Sequence, residues 1–173
     1  MLPCRWLMDL TSVSVLAVTL ASLPMATRAE EPATCVATST EQIAALSERW
    51  NVALAHGDPK ALAGLYADDA VLLPMLSGEP LVGRQAIKSY FNEYIRRHPQ
   101  GQINMRSIMV GCNVASDIGT YTYRLTGQRK GTRVAIGGRY STGYEFRDGR
   151  WVIAHQHASA MTNLPQRAKL AKK

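Results

Sequence analysis

Residues 139–160, RYSTGYEFRDGRWVIAHQHASA, decide how this chain folds. Two apolar-rich runs flank Asp148-Gly149, a pair suited to the left-handed backbone of a tight β-hairpin. Alternate residues of a strand share a face, so Trp151, Ile153, His155, His157 and Ser159 are expected on one side. Val152, Ala154, Gln156, Ala158 and Ala160 then take the other. In the first run Tyr140, Thr142 and Tyr144 share one phase, and Arg139 has the opposite one.

Upstream, residues 116–126 and 133–146 read as strands separated by the turn TGQRKGT. A longer strand begins near residue 102. There Ile103 and Met105 alternate in one phase and Ile108, Val110 and Cys112 in the other, which predicts a bulge near Arg106 and Ser107. The preceding chain has helical spacing instead. Ile43, Leu46, Trp50 and Leu54 mark a helix over 41–56, with Thr38 and Glu41 as a capping pair and Gly57 as its stop. Asp58 and Pro59 open a short second helix that carries Leu62, Leu65 and Tyr66. AVLLP (70–74) reads as a short buried strand. A third helix over about 84–97 aligns Ile87, Tyr90, Phe91, Tyr94 and Ile95 before HPQG breaks it. Helices followed by a meander predict an α+β domain with its helices on one face of the sheet.

The two ends differ from this pattern. Residues 11–26 form an uncharged apolar stretch ending in small residues, the pattern of a secretory signal peptide cut after Ala29, with Ala26 as a second option and an uncleaved anchor as the alternative. The expected organisation is a signal peptide over 1–29, one domain over 30–163 and a basic tail over 164–173, which leads to export to the periplasm or medium. Only Cys35 and Cys112 survive cleavage, and in an oxidising compartment they are expected to pair, two separate buried thiols being the alternative. The chain carries a net charge of +7, part of it in the terminal QRAKLAKK. No ordered basic face interleaved with aromatics accompanies it, so no nucleic-acid partner is expected. After cleavage no segment is left to engage a membrane.

The stretches RWNVALAHGDPKALAGLYADDAVLLP, SYFNEYIRRHPQG, GCNVASDIGTYTY, RYSTGYEFRDGRW and HQHASAM together resemble the association (hub) domain of calcium/calmodulin-dependent protein kinase II. The likeness runs from about Cys35 to Met161, to the exported bacterial members of that branch of the nuclear transport factor 2-like and SnoaL-like fold. Those relatives read RYTF and a run of histidines then serines, where this chain has RYST and HQHAS. The resemblance implies a cone: three N-terminal helices packed in the concave face of a strongly bent antiparallel sheet. It also implies an arginine-containing pocket that accepts small carboxylates, for which Arg139 is the candidate, and it carries no kinase function, since no kinase segment is present.

On the strand phases alone, His155 and His157 are expected to project into the pocket, as general bases, anion binders or packed, hydrogen-bonded histidines. His-x-His offers two metal ligands, but no third stands at motif spacing, so neither metal nor cofactor is expected. Trp50, Tyr66, Tyr90 and Tyr121 are aromatics with polar tips suited to a cavity wall, Trp50 and Tyr90 reading first as core. Most acids fall in turns or on exposed helix faces. Asp117 shares its phase with Tyr121 and Tyr123 and joins His155 and His157 as a candidate catalytic group.

Two readings follow. In one, the protein is a small-ligand-binding domain with an anionic or carboxylate ligand, pairing with itself through an outer sheet face that carries Val152, Ala154, Ala158 and Ala160. In the other, it is a pocket enzyme of the ketosteroid-isomerase or SnoaL-like cyclase type with a His or Asp base.

Overall fold

A computed structural model describes residues 34–161, apart from Gln128 and Lys130. The expected signal peptide, its expected cleavage site and the basic tail lie outside the described residues.

Helix α1 (Thr40–His56) is capped one residue later than expected. Ser39 is the N-cap: its hydroxyl accepts from the Gln42 backbone N–H, and the Gln42 side chain accepts from the Ser39 N–H. The expected Thr38 partner is used elsewhere, accepting a bond from the Trp151 indole at 3.2 Å. Gly57, at φ 70°, supplies the left-handed residue that ends the helix. Asp58 caps α2 (Pro59–Gly64) through the Lys60 and Ala61 N–H groups, with Pro59 where a missing N–H costs nothing. Strand β1 (Tyr66–Leu73) is longer than AVLLP alone suggests, and β2 (Leu81–Val82) is a two-residue edge strand. Helix α3 (Arg84–Tyr94) turns Ile87, Phe91 and Tyr94 inward and tightens into a 3₁₀ turn over Ile95–Arg97.

Strands β3 (Gln100–Val110), β4 (Val114–Thr126), β5 (Arg133–Arg147) and β6 (Arg150–Ala160) form the meander. Asp148 and Gly149 both take positive φ, as their hairpin turn requires. The sheet order is β2-β1-β6-β5-β4-β3, with β1 parallel to β6 and every other pair antiparallel. This corrects the expected cone. The sheet is mixed rather than antiparallel, and it is open, neither closed nor strongly curled, because β2 and β3 end as separate edges. Its bulges bend strands locally without bringing those edges together.

Two bulges decide which side chains face the helices. On β3 the register shifts between Ile103 and Met105, earlier than expected, so Arg106 and Ile108 turn inward and Met105 turns to solvent. On β6 Tyr144 pairs with Ile153 while its neighbour Gly143 pairs with His155, leaving Ala154 as the extra residue. That residue inverts the alternation. Ile153 is buried with the core, and beyond it Gln156 rather than His155 faces inward.

Cys35 and Cys112 are bonded, with Cα atoms 4.8 Å apart. Asn113, at φ 57°, holds the same join: its side chain accepts from Val36 N–H and donates to the Thr34 carbonyl. The segment before α1 is thereby fastened to the β3–β4 turn.

Candidate functional site

Cross-strand pairing lays the inner face out as rows. Ile108, Asp117, Thr142, Gln156 and Leu72 form one row across five strands, and Arg106, Gly119, Tyr140 and Ala158 form the next. Three tyrosines stand opposite three glycines: Tyr121 faces Gly138, Tyr123 faces Gly101 and Tyr140 faces Gly119. Each ring lies across the glycine that faces it. A Cβ on Gly138 would meet Tyr121 Cζ at 2.4 Å, one on Gly101 would meet Tyr123 Cε1 at 2.4 Å, and one on Gly119 would meet Tyr140 Cε1 at 2.8 Å. Aromatic side chains folded over cross-strand glycines keep the sheet packed where side chains are missing. Here they also leave space between the sheet and helices α1 and α3.

That space is a cavity with about 70 Å³ open to the centres of water molecules. Trp50 and Asn51 from α1 line it, with Tyr90, Phe91 and Tyr94 from α3 and the inward residues of the sheet. Phe91 meets both Trp50 and Tyr90 edge to face, with centroids 5.8 and 5.3 Å apart, an arrangement that fixes the rings.

Two hydrogen-bond systems support the wall. Trp50 Nε1 donates to the Tyr66 hydroxyl at 2.9 Å, Tyr66 donates to Gln156 Oε1, and Gln156 Nε2 donates to Thr142 Oγ1 at 3.3 Å. The second system is centred on Asp117, which is fully buried. Its Oδ2 accepts from Ser47 Oγ at 2.5 Å and its Oδ1 from the Tyr140 hydroxyl at 2.8 Å. Because the Ser47 proton goes to Asp117, Tyr144 is the donor in the 2.9 Å contact between the two hydroxyls. Arg106 Nε lies 3.2 Å from Asp117 Oδ2, and Nη1 reaches Glu48 at 3.4 Å. The Nε contact is an ion pair without hydrogen-bond alignment, and Arg106 Nη2 is buried with no hydrogen-bond partner among the described residues.

Burial is the leading cause that raises the pKa of every tyrosine described, all seven in the chain. Tyr90, Tyr121 and Tyr144 are each pushed up to about 12. The hydroxyls around the cavity therefore stay protonated at neutral pH; those of Tyr140 and Tyr144 already donate to Asp117 and Ser47, and those of Tyr90, Tyr94 and Tyr123 can donate to a ligand.

The structure brings together Trp50, Tyr90 and Tyr121 in the cavity wall, with Tyr66 buried behind it. It does not bring the histidines or Arg139 there. His155, His157 and Arg139 are exposed on the opposite face of the sheet, where Ser107, Ile118, Ser141, His157 and Leu73 form a row. The His155 ring lies over Gly143, whose added Cβ would meet it at 2.0 Å. The Ala154 bulge turns the two histidines outward, whereas Arg139 is outward through the unbroken phase of β5, opposite to Tyr140. The expected outer face changes too: the bulge turns Ala158 to the cavity, Val152 is buried, and Met105, Met109, Val114 and Ile118 are exposed apolar side chains on the outer face of β3 and β4. The arginine that turns inward is Arg106, which the strand reading missed because it put the β3 bulge too late. Among the described residues no group of three or more His, Cys, Asp or Glu side chains is placed to hold a metal. No helix among them is long and apolar enough to cross a membrane.

Comparison with known proteins agrees with this architecture. The crystal structure of a Xanthomonas campestris protein assigned to the calcium/calmodulin-dependent protein kinase II association domain is 38% identical, with a TM-score of 0.68. The match covers 77% of this chain and 99% of that one. A nuclear-transport-factor-2-like protein with a cystatin-like fold from Novosphingobium aromaticivorans is 15% identical over 72% of this chain and 82% of its own, with a TM-score of 0.61. A ketosteroid isomerase-like protein from Erwinia carotovora atroseptica is 16% identical over 70% and 95%, with a TM-score of 0.60. At these identities the last two show the fold alone. No curated protein matches the chain. The family model for the calcium/calmodulin dependent protein kinase II association domain matches residues 39–162, and the chain belongs to that family.

Proposed function

We propose that this protein is an exported, self-associating domain that holds a small molecule in its inner-face cavity without turning it over. The observation that carries this reading is the state of Asp117. A general base needs a free lone pair directed at the substrate. Both Asp117 oxygens are occupied, by Ser47 and Tyr140, and Arg106 neutralises the charge. The carboxylate also stands behind the hydroxyls of Ser47 and Tyr140, which line the cavity where it does not. His155 and His157, the other candidate bases, lie across the sheet from the cavity. The enzyme reading therefore lacks a base, and the carboxylate reading lacks the cations assigned to it.

Self-association is supported by the uncovered face. Met109 is 61% exposed and belongs to an apolar group with Met105, Val114 and Ile118, which a second copy of the same sheet would cover. Export is supported by the Cys35–Cys112 bond, which an oxidising compartment maintains.

Native mass spectrometry of the purified protein, with and without a millimolar mixture of small organic compounds, tests both parts. The expected spectrum shows a dimer or larger assembly that carries one small molecule per protomer. A monomer that takes up nothing from the mixture would overturn the reading.

A further inference from the structure

We propose that the molecule held in the cavity is an uncharged aromatic compound of about one ring, with a hydrogen-bond acceptor on that ring. The proposal rests on the cavity being a ligand site. It specifies what kind of ligand the site accepts.

Size sets the first limit. One buried water requires roughly 10–15 Å³ measured in this way, so a cavity of about 70 Å³ holds about five waters. Five waters fill on the order of 150 Å³ of liquid, about the bulk of a single six-membered ring. Shape sets the second. Trp50, Phe91, Tyr94, Tyr121 and Tyr123 contribute flat faces and edges, and such walls favour a flat guest stacked or inserted edge to face. The glycines behind Tyr121, Tyr123 and Tyr140 let these rings lie back against the sheet, so the space is part of the built backbone pattern.

Charge sets the third limit. Among the described residues no Lys, Arg, His, Asp or Glu lines the cavity. A carboxylate placed there would lose its hydration and meet no cation, an unfavourable transfer. Arg106, which faces inward from β3, is paired with Asp117 and Glu48. The polar groups that do reach the wall are neutral: tyrosine and threonine hydroxyls and the amides of Asn51, Gln102 and Gln156. Tyr121, Tyr140 and Tyr144 donate to Met75, Asp117 and Ser47 groups of the protein, but the Tyr90 and Tyr94 hydroxyls, held protonated by burial, are donors on the wall that suit a carbonyl, amide or ether oxygen on the guest.

Benzamide and benzoate separate charge from shape, since they are nearly isosteric and differ in charge at pH 7. Titration calorimetry of the whole protein with each, at up to millimolar concentration, is repeated on Ala158→Leu. This change fills the cavity from the sheet side, and a thermal melt checks that the variant is folded. Benzamide is expected to bind at least tenfold more tightly than benzoate, and the variant to lose that binding by a similar factor. Benzoate binding as tightly as benzamide, with both lost in the variant, would overturn the ligand class and leave the cavity as the ligand site. Binding of neither compound, or binding that Ala158→Leu leaves unchanged, would overturn both.

Discussion

Replacing Asp117 by asparagine tests whether this carboxylate is a structural counter-ion. The change keeps size and shape, but one acceptor oxygen becomes an NH2 group facing donors, and the negative charge beside Arg106 disappears. Removing one member of a buried ion pair costs about 3–5 kcal/mol. The lower end applies here, because the Arg106 side chain is 22% exposed and keeps Glu48 at 3.4 Å. A loss of about 3 kcal/mol in a domain of this size lowers Tm by roughly 10 °C. Urea unfolding followed by tyrosine and tryptophan fluorescence should give a lower midpoint with an unchanged slope. Removing both charges, as Asp117→Leu with Arg106→Met, should recover most of the loss, since apolar replacements of a buried pair are often neutral or better. A cost below about 1 kcal/mol for Asp117→Asn, or a double variant weaker than either single one, would refute the assignment.

The tyrosines give a pH prediction. Their folded pKa values lie above the ordinary 10, so the stability they contribute is complete below pH 10 and is lost as pH rises. Little tyrosinate absorbance should appear between pH 10 and 11, and most of it should appear cooperatively near pH 12 with unfolding; gradual ionisation at pH 10 would contradict their burial. Reduction of Cys35–Cys112 opens a loop of 77 residues and should cost about 4 kcal/mol, read as a fall in melting temperature on adding reductant. An unchanged melt would mean that the Asn113 bonds hold the segment alone. Ile118→Glu with Met109→Glu places charges on the uncovered sheet face and should shift sedimentation from an assembly to a monomer; an unshifted profile would place the contact elsewhere.

Much of this architecture is written in local chemistry. Gly57, the Asp58-Pro59 start and the Asp148-Gly149 turn each set a boundary through backbone preference alone, and the structure has them where they are expected. The inward phase of Asp117, Tyr121 and Tyr123 is equally plain, because β4 carries no bulge opposite β5. What the alternation could not provide was the position of the bulges. A single extra residue at Ala154 moves His155 and His157 to the outer face and Gln156 and Ala158 to the cavity, which are the two places where the chain departs from its relatives' His/Ser run. The β3 bulge likewise hides Arg106. Its one clue, a phase break between Met105 and Ile108, fixes a bulge to within a few residues and no better. The parallel pairing of β1 with β6 joins residues some 85 positions apart, a long-range contact that no local pattern encodes. The open sheet follows from that pairing, together with the two-residue β2 at its edge.

An inner-face cavity that holds a small molecule should take one up from solution. Saturation-transfer NMR with a mixed panel of neutral and charged one-ring compounds tests it most directly, on the native protein and on Ala158→Leu. Transfer to at least one compound is expected in the native protein, and its loss in the folded variant. Equal transfer to both proteins, or none to either, would contradict it.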